Sequence, residues 1–260
     1  MIESVIAAVR GVAAQEIMPR YLKVAQQRKA DGSLLTEADV ASQRVLSRVL
    51  PAIRRAPVIG EEMSQDQQLE RWLAGAEGLW CVDPVDGTSN FVNGLPYFAV
   101  SVALMLEGRP VLGVVYNPVA QELFWAERGQ GAFLNGEKLP IKTRVPPLRG
   151  AMAGADFKRL PRRLAERLAG APPYASQRNY GASTLDWCYT AAGRFDVYVH
   201  GGQKLWDYAA GALILEEAGG GMATLESDDF WGSSIWQRSV VAAWDPGLLR
   251  EWAAWLRAGP

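Results

Sequence analysis

The 260-residue sequence contains one histidine, His200, and only two cysteines, Cys81 and Cys188. A zinc site that needs two histidines therefore cannot form, and the cysteines lie too far apart for a Cys-x-x-Cys knuckle. No Gly-x-Ser-x-Gly elbow is present, which argues against a serine hydrolase of that type. If the protein is an enzyme, carboxylates and the metal ions they bind must carry most of its chemistry.

Long apolar runs and an excess of one charge sign are also missing. The longest apolar run, Tyr97–Leu106, is interrupted by Ser101 and has about half the length of a membrane-spanning helix. Glu3 and Arg10 interrupt the apolar positions near the N-terminus, so we expect no secretory signal. The low cysteine content indicates a reducing compartment. These features predict a cytoplasmic protein that does not bind membranes.

The net charge of −1 conceals an uneven distribution of charge along the chain. Residues 128–167 contain ten lysines and arginines against three acidic residues, and the rest of the chain is net negative. Two interpretations remain open. The basic segment is either an ordinary solvated surface of helices and loops, or a surface that attracts an anionic substrate or a nucleic acid.

The pattern of apolar residues and turn residues predicts a mixed α/β (α+β) protein. Pro146-Pro147 is the best internal boundary and divides the chain into subdomains 1–145 and 146–260. The predicted helices cover about 2–27, 36–50, 161–168, 183–192 and 206–217, with a last helix after Asp245-Pro246, and the predicted strands cover 57–60, 78–82, 97–106, 110–116, 122–126, 151–155, 195–199 and 239–243. Adjacent hairpins in the first half indicate antiparallel pairing.

Four acidic residues stand at the ends of predicted elements: Glu61, Asp83, Asp86 and Asp207. The tripeptide Gly87-Thr88-Ser89 follows Asp86 directly and is predicted to open a short helix, whose free N–H groups can bind a phosphate. A phosphate and several carboxylates repel one another unless cations lie between them. Hard oxygen ligands beside a phosphate favour Mg²⁺, so the sequence indicates metal-assisted phosphate chemistry.

Each of these acidic residues also has an ordinary structural interpretation. Asp-Pro and Asp-Gly are common turn dipeptides, and Asp207 stands where it could cap its own helix. Asp39 lies three residues after Thr36, which is the spacing of a capping box. The local pattern alone leaves both interpretations open.

With these motifs, the sequence resembles the inositol monophosphatase family of Mg²⁺-dependent, Li⁺-sensitive phosphatases. The Asp-Pro-x-Asp-Gly-Thr run combined with a distant Trp-Asp is a specific pair of motifs. The matching segments are Leu34-Leu35-Thr36-Glu37-Ala38-Asp39, Gly60-Glu61-Glu62, the run from Trp80 to Phe91, and Leu205-Trp206-Asp207 followed by Glu217-Ala218-Gly219-Gly220.

The resemblance implies a layered αβαβα sandwich of the inositol monophosphatase and fructose-1,6-bisphosphatase type, a homodimer, and two or three Mg²⁺ ions per active site. It assigns the catalytic roles to Asp39, Glu61 and Thr88, with Thr88 and Asp39 acting on the attacking water. The metal ligands it implies are Glu61, Asp83, the Val85 carbonyl, Asp86 and Asp207; the phosphate-binding residues are Gly87, Thr88 and Ser89; and the substrate-binding residues are Asp86, Gly181, Ser183 and His200.

The substrate is the part on which the resemblance is weakest. Asn90-Phe91 fits the inositol phosphatase branch of the family, whereas His200 stands where such members usually have a glutamate, seven residues before Asp207. The segment around Asp156 also departs from the family pattern. A neutral or cationic histidine would favour a more anionic substrate; alternatively, His200 is simply a surface residue at the end of a strand.

Three functions are therefore considered. The first is Mg²⁺-dependent hydrolysis of inositol 1-phosphate or a related polyol phosphate by a metal-activated water. The second is a phosphatase of the same superfamily that acts on 3′-phosphoadenosine phosphate, histidinol phosphate, fructose 1,6-bisphosphate or NADP. The third, of a different class, is a regulatory protein that binds the transcription machinery or nucleic acid and retains only residual phosphatase activity.

Overall fold

The computed structural model describes residues 1–23, 27–28, 34–232 and 234–258; the polar turn predicted at 29–33 lies outside them. The helices are α1 (Ile2–Val12), α2 (Glu37–Ile53), α3 (Gln65–Ala74), α4 (Thr88–Asn93), α5 (Arg162–Gly170), α6 (Ser183–Ala191), α7 (Leu205–Glu217) and α8 (Pro246–Arg257). A π-helical turn (Ala13–Ile17) extends α1, and two 3₁₀ turns cover Leu148–Gly150 and Phe157–Arg159.

The strands form two large sheets and one short hairpin. The strands are β1 (Gln27–Arg28), β2 (Leu34–Leu35), β3 (Val58–Gly60), β4 (Leu79–Asp86), β5 (Ala99–Leu106), β6 (Arg109–Asn117), β7 (Glu122–Glu127), β8 (Ala132–Leu134), β9 (Glu137–Lys138), β10 (Met152–Asp156), β11 (Ser176–Arg178), β12 (Val197–Gln203), β13 (Gly221–Ala223) and β14 (Arg238–Ala243). The first sheet has the order β3-β4-β5-β6-β7-β8-β9, and the second β11-β10-β12-β14-β13. The predicted hairpins of the first half pair antiparallel.

Five layers result because successive side chains of each strand point to opposite faces of its sheet. In β4, Trp80 and Val82 pack on α1 and α2, while Leu79 and Cys81 face the centre of the molecule. Helices α6 and α7 fill the space between the two sheets, and α5 and α8 cover the outer face of the second sheet. The layered αβαβα arrangement of a mixed α/β protein is therefore confirmed.

The central helix α7 is buried on nearly all sides, as expected of a helix that lies between two sheets. A side chain at Gly211 would place its Cβ 2.3 Å from the Trp187 Cβ, and one at Gly113 would meet the Ala210 backbone at 2.9 Å. These two glycines let α7 approach α6 on one side and β6 on the other. The second half of the chain thus packs directly on the sheet of the first, and the division into subdomains 1–145 and 146–260 stays a prediction.

Two predicted helix ends are wrong. The first α-helix ends at Val12 instead of near Gln27; its π turn ends at Ile17, just before Pro19, whose ring nitrogen has no hydrogen to donate to the helix. Helix α2 includes Pro51 in its last turn, where the prediction ended it at Leu50.

No helix in the described ranges is both long and apolar enough to cross a membrane.

Candidate active site

Strand β4, which carries Asp83 and Asp86, continues through a bulge as far as Asp86. The prediction ended this strand at Val82. Asp83 pairs with Ser101 and Asp86 pairs with Ala99, so β4 has one residue more than β5 between these two pairs. Pro84 lies inside the bulge, where its missing N–H leaves no ladder bond unmade. As a result both carboxylates stay at the buried end of β4, with Asp83 only 1% and Asp86 only 9% exposed.

The turn from β4 into α4 depends on Gly87. Its φ of +85° lies in the left-handed region that favours glycine, and a Cβ there would lie 3.0 Å from both the Ala182 Cβ and the Tyr97 carbonyl oxygen. Gly87 caps α4, so Thr88 and Ser89 form the first helical turn. Ser89 is exposed and Thr88 is half-buried, which places the predicted phosphate-binding residues at an open helix end.

Asp39 has both of the roles that the sequence left open. Its Oδ2 accepts hydrogen bonds from the Thr36 backbone N–H (2.7 Å) and hydroxyl (2.6 Å) and completes a capping box at the start of α2. Its Oδ1 lies 3.4 Å from the Thr88 hydroxyl, which also lies within hydrogen-bond distance of the Val85 carbonyl oxygen (3.1 Å). The helix cap therefore holds Asp39 beside Thr88.

Asp207, from the second half of the chain, and Asp86, from the first half, are also anchored at the starts of helices. Asp207 Oδ2 accepts the Lys204 backbone N–H at 2.8 Å, across the start of α7. Asp86 Oδ2 accepts both the backbone N–H (2.7 Å) and the hydroxyl (2.6 Å) of Thr184, at the start of α6. The sequence analysis missed Thr184, because nothing local links a residue to a partner 98 positions away.

Glu61 is positioned by a turn that two glutamines surround. Its backbone N–H donates to the Val82 carbonyl (3.3 Å) and so ties the turn to β4. Gln68, from α3, donates its side-chain N–H to the Gly60 carbonyl at 3.1 Å. The Gln43 amide packs so closely on Gly60 that a Cβ there would lie 2.2 Å from it. Neither glutamine was predicted: Gln68 belongs to α3, which is absent from the predicted helices, and Gln43 belongs to α2, distant in the chain from the turn it supports.

Burial and neighbouring carboxylates raise the pKa of three of the acidic residues. Burial raises the pKa of Asp83 well above its usual value, and the charges of Glu61, Asp86, Asp207 and Asp39 raise it further. Burial raises the pKa of Asp86 to about 6, although the hydrogen bonds from Thr184 oppose the shift. Burial, followed by the charges of Asp86 and Glu61, raises the pKa of Asp207 to about 8. The five carboxylates thus form one repelling cluster.

The cluster fits a hard divalent cation in the chemistry of its donors. All its side-chain donors are carboxylate oxygens, which Mg²⁺ prefers, and a cation among them would offset the burial and the repulsion that raise the pKa of Asp83, Asp86 and Asp207. Within residues 1–23, 34–232 and 234–258, no group of three or more acidic, histidine or cysteine side chains is arranged to hold a metal ion as the side chains stand. The donor set therefore suits Mg²⁺ with water molecules completing the coordination.

A cleft of about 630 Å³ opens beside Glu61, which contributes to its wall. Trp206 and Trp236 form its apolar wall, and Lys204 contributes a positive charge. The Lys204 ammonium lies 5.5 Å from the centre of the Trp206 ring. A small anionic ligand in this cleft would therefore lie near Glu61, a cation and two aromatic rings.

The loop before α6 brings the predicted residues Gly181 and Ser183 beside this cluster. Asn90, from α4, donates to the Tyr180 carbonyl at 2.6 Å. Gly181 follows with a φ of +81°, which requires glycine-like freedom. Ser183 contributes a backbone hydrogen bond to Asp86. The loop thus joins the open end of α4 to the carboxylate of β4.

His200 is not a surface residue. It is 7% exposed and lies inside β12, directly opposite Asp156 of the parallel strand β10. Its Nε2 is 3.5 Å from the Asp156 Oδ2, and its Nδ1 accepts the Gly202 backbone N–H at 3.1 Å. The prediction of a surface position is wrong because strand β12 continues past Val199 to Gln203.

Comparison with known sequences places this arrangement among phosphatases. A model of the inositol monophosphatase family matches residues 1–257. The chain is 34% identical over 242 residues to Inositol-1-monophosphatase of Caulobacter vibrioides, which covers 88% of this chain and 90% of that protein. It is 45% identical over 234 residues to Nus factor SuhB of Pasteurella multocida, which covers 86% of this chain and 82% of that protein.

Solved structures share the same architecture. An IMPase from Thermotoga maritima superposes with a TM-score of 0.84 at 27% identity, covering 98% of this chain and 95% of that chain. A staphylococcal inositol monophosphatase-1, in a complex soaked in the inhibitor LiCl, gives 0.82 at 25% identity over 99% and 93% of the two chains. An IMPase/NADP phosphatase complexed with Mg²⁺ and phosphate gives 0.79 at 26% identity over 96% and 92%.

Proposed function

Because this chain belongs to the inositol monophosphatase family, we propose that it hydrolyses inositol 1-phosphate or a related polyol phosphate with Mg²⁺ as its cofactor. The family and its structures make the chain a phosphatase, a phosphoric monoester hydrolase. The proposal adds the substrate class, the residues and the ions. We also propose that it acts in the cytoplasm, is sensitive to Li⁺ and works as a homodimer.

The observation that carries the proposal is the burial of Asp83, within reach of the charges of four other carboxylates, beside the open end of α4. Glu61, Asp83, the Val85 carbonyl, Asp86 and Asp207 would hold two or three Mg²⁺ ions. When bound, these ions would make a water molecule nucleophilic at neutral pH and neutralise charge on the phosphate. The raised pKa values of three of the carboxylates support the assignment, since burial and the neighbouring negative charges both disfavour the ionised form that a cation would stabilise.

The protein's own groups would do the remaining work. The Thr88 hydroxyl, held between Asp39 and the Val85 carbonyl, would orient the attacking water, and Asp39 would accept its proton through Thr88. The backbone N–H groups of Gly87, Thr88 and Ser89 would bind the phosphate oxygens at the start of α4. No covalent phosphoenzyme is required, so the single buried histidine and the two buried cysteines need no part in the reaction.

The choice of substrate rests on Asn90 and on the relatives. Asn90 ties α4 to the loop that carries Gly181, and relatives named Inositol-1-monophosphatase match most of this chain. One structural neighbour is described as a dual specific IMPase/NADP phosphatase bound with D-inositol-1-phosphate. Phosphatase activity on NADP, 3′-phosphoadenosine phosphate, histidinol phosphate or fructose 1,6-bisphosphate is therefore the alternative within the same superfamily.

A panel of phosphate esters tests the proposal. Phosphate release is measured from inositol 1-phosphate, each alternative ester and p-nitrophenyl phosphate, with Mg²⁺ and again with excess chelator. We expect inositol 1-phosphate or another polyol monophosphate to have the highest kcat/KM, and the chelator to remove at least 99% of the activity. A higher kcat/KM for a nucleotide or a bisphosphate would favour the alternative, and activity that survives the chelator would refute the role of the metal.

The same panel addresses a second candidate function. Several relatives are named Nus factor SuhB, which favours a role in binding the transcription machinery. The basic segment 128–167 lends this little support, because some of its cations are already used within the fold. Lys142 pairs with Asp196, and Arg162 with Glu166. A protein that acts only by binding would release phosphate from every ester at a negligible rate.

Thr184 allows the assignment of Asp86 to be tested without removing a carboxylate. The change Thr184→Val deletes the hydroxyl bonded to Asp86 Oδ2, and loss of such a partner of a metal ligand typically weakens metal binding by about 10- to 100-fold. We expect the Mg²⁺ concentration for half-maximal activity to rise about tenfold. The matched control is Thr190→Val, another buried threonine of α6, whose hydroxyl bonds to the Asp186 carbonyl. Equal effects of the two changes would contradict the role of Asp86.

A further inference from the structure

Asp156, at the end of β10, and His200, inside the neighbouring parallel strand β12, form a polar pair. Asp156 is the last residue of β10, and its backbone register places it directly beside His200 of β12. One Asp156 oxygen faces His200 Nε2 at 3.5 Å, and the other accepts the Lys158 backbone N–H at 3.0 Å and lies 3.4 Å from the Asn179 amide nitrogen. The carboxylate is thus fixed on both sides while part of it stays exposed.

The hydrogen bonds determine where the charge of this pair resides. Because His200 Nδ1 accepts the Gly202 N–H, the ring proton belongs on Nε2, the atom that faces Asp156. Burial alone would raise the pKa of Asp156, but the hydrogen bonds from His200 and the Lys158 N–H and the charge of Arg159 leave it lowered. Asp156 is therefore ionised, and the pair presents a negative acceptor. This reverses the expectation that His200 makes the site favour a more anionic substrate.

The pair lies on the same side of the second sheet as the proposed catalytic cluster. Tyr198, two residues before His200 and on the same face of β12, has its pKa raised mainly by burial and also by the charges of both Asp86 and Asp156. Asn179, which contacts Asp156, begins the loop that Asn90 ties to α4. One short loop therefore links Asp156 to the proposed phosphate-binding turn.

We infer that Asp156, held in place by His200 and Asn179, accepts a hydrogen bond from a hydroxyl group of the alcohol that leaves the phosphate. This inference rests on the proposed phosphatase function and specifies its substrate class. A fixed carboxylate with remaining lone pairs binds a hydroxyl strongly, and it repels a second phosphate at the same position. The pair therefore selects polyol monophosphates against bisphosphates.

The variant Asp156→Asn tests the inference by a ratio of rates. For each protein, kcat/KM is measured on inositol 1-phosphate, on p-nitrophenyl phosphate, which has no aliphatic hydroxyl, and on fructose 1,6-bisphosphate. We expect kcat/KM for inositol 1-phosphate to fall about tenfold or more, as for loss of a hydrogen bond to a charged group. The value for p-nitrophenyl phosphate should change less than twofold, and the preference for inositol 1-phosphate over the bisphosphate should shrink.

Asp228→Asn serves as the control, because it removes the same charge from an exposed residue that pairs with Arg257; all three rates should stay unchanged. If Asp156→Asn does not fold, Asp156→Ser is measured in its place with the same expected ratio. An equal fall on all esters, or an unchanged ratio, would overturn the role of Asp156 while leaving the phosphatase intact. A wild-type protein inactive on every ester would instead overturn the proposed function and the inference with it.

Discussion

The variant Asp83→Asn is expected to lose at least a thousandfold in kcat/KM with Mg²⁺, and its metal-free form is expected to melt at a higher temperature than the wild type. Asp83 is almost completely buried and faces four other carboxylates, so a neutral side chain of the same shape relieves repulsion. The loss of activity follows if Asp83 binds the metal, since about 4 kcal/mol of transition-state stabilisation corresponds to a thousandfold rate. Steady-state kinetics and thermal unfolding measured in chelator would test the two effects.

Asp196→Asn provides the matched comparison for this result. Asp196 is as deeply buried as Asp83, but it accepts hydrogen bonds from the Met152 N–H and the Trp244 indole and pairs with Lys142. Neutralising it leaves a cation without its partner, so the melting temperature should fall while activity changes little. A metal-free Asp83→Asn protein that melts lower than the wild type, or keeps a tenth of its activity, would contradict the proposed site.

The second large effect concerns pH. In the metal-free wild type, the folded-state pKa of Asp86 is raised to about 6 and that of Asp207 to about 8. A raised pKa means that the folded protein binds the proton more tightly than the unfolded chain. The resulting stability is fully present below pH ~4, where the unfolded carboxylates titrate, and it is lost as the pH rises through about 6 and then about 8.

We therefore expect the metal-free protein to melt at a lower temperature at pH 9 than at pH 5. Between pH 5 and pH 9, Asp86 alone loses about 1.4 kcal/mol, since about one unit of its raised pKa lies above pH 5, which predicts a difference of roughly 3–6 °C from this residue. Added Mg²⁺ should raise the melting temperature more at pH 9 than at pH 5, because a cation binds the ionised carboxylates. Differential scanning fluorimetry across this range measures both trends, and a melting temperature that rises with pH in chelator would contradict them.

Much of the site could be predicted from short stretches of sequence. The order Asp83-Pro84-Val85-Asp86-Gly87-Thr88 determines the buried carboxylates and the helix that follows them, because each step depends only on neighbouring residues. The spacing of Thr36 and Asp39 likewise predicts a capping box, which the structure contains. Both features depend on residues that are neighbours in the chain, so the sequence alone is enough to predict them.

The features that were missed depend on partners distant in the chain. Thr184, Gln68 and Gln43 hold Asp86 and Glu61 in place, yet nothing in their own neighbourhoods indicates this. Helix α3 was missed although Ser64 and Gln67 form a capping box at its start, because its only fully buried position is Gln68 and an apolar periodicity is absent. Whether His200 is buried or at the surface stayed open in the sequence, because its pairing with Asp156 depends on the packing of two parallel strands.

The bond between Asp86 and Thr184 has a consequence for how the protein folds. Asp86 belongs to the first sheet, and Thr184 belongs to the helix layer contributed by the second half of the chain. A folding intermediate in which only one half is ordered would leave Asp86 hydrated and without this anchor. Regain of catalytic activity during refolding would then report the docking of the two halves, and a chain arrested before docking would have an ordered β4 but no working site.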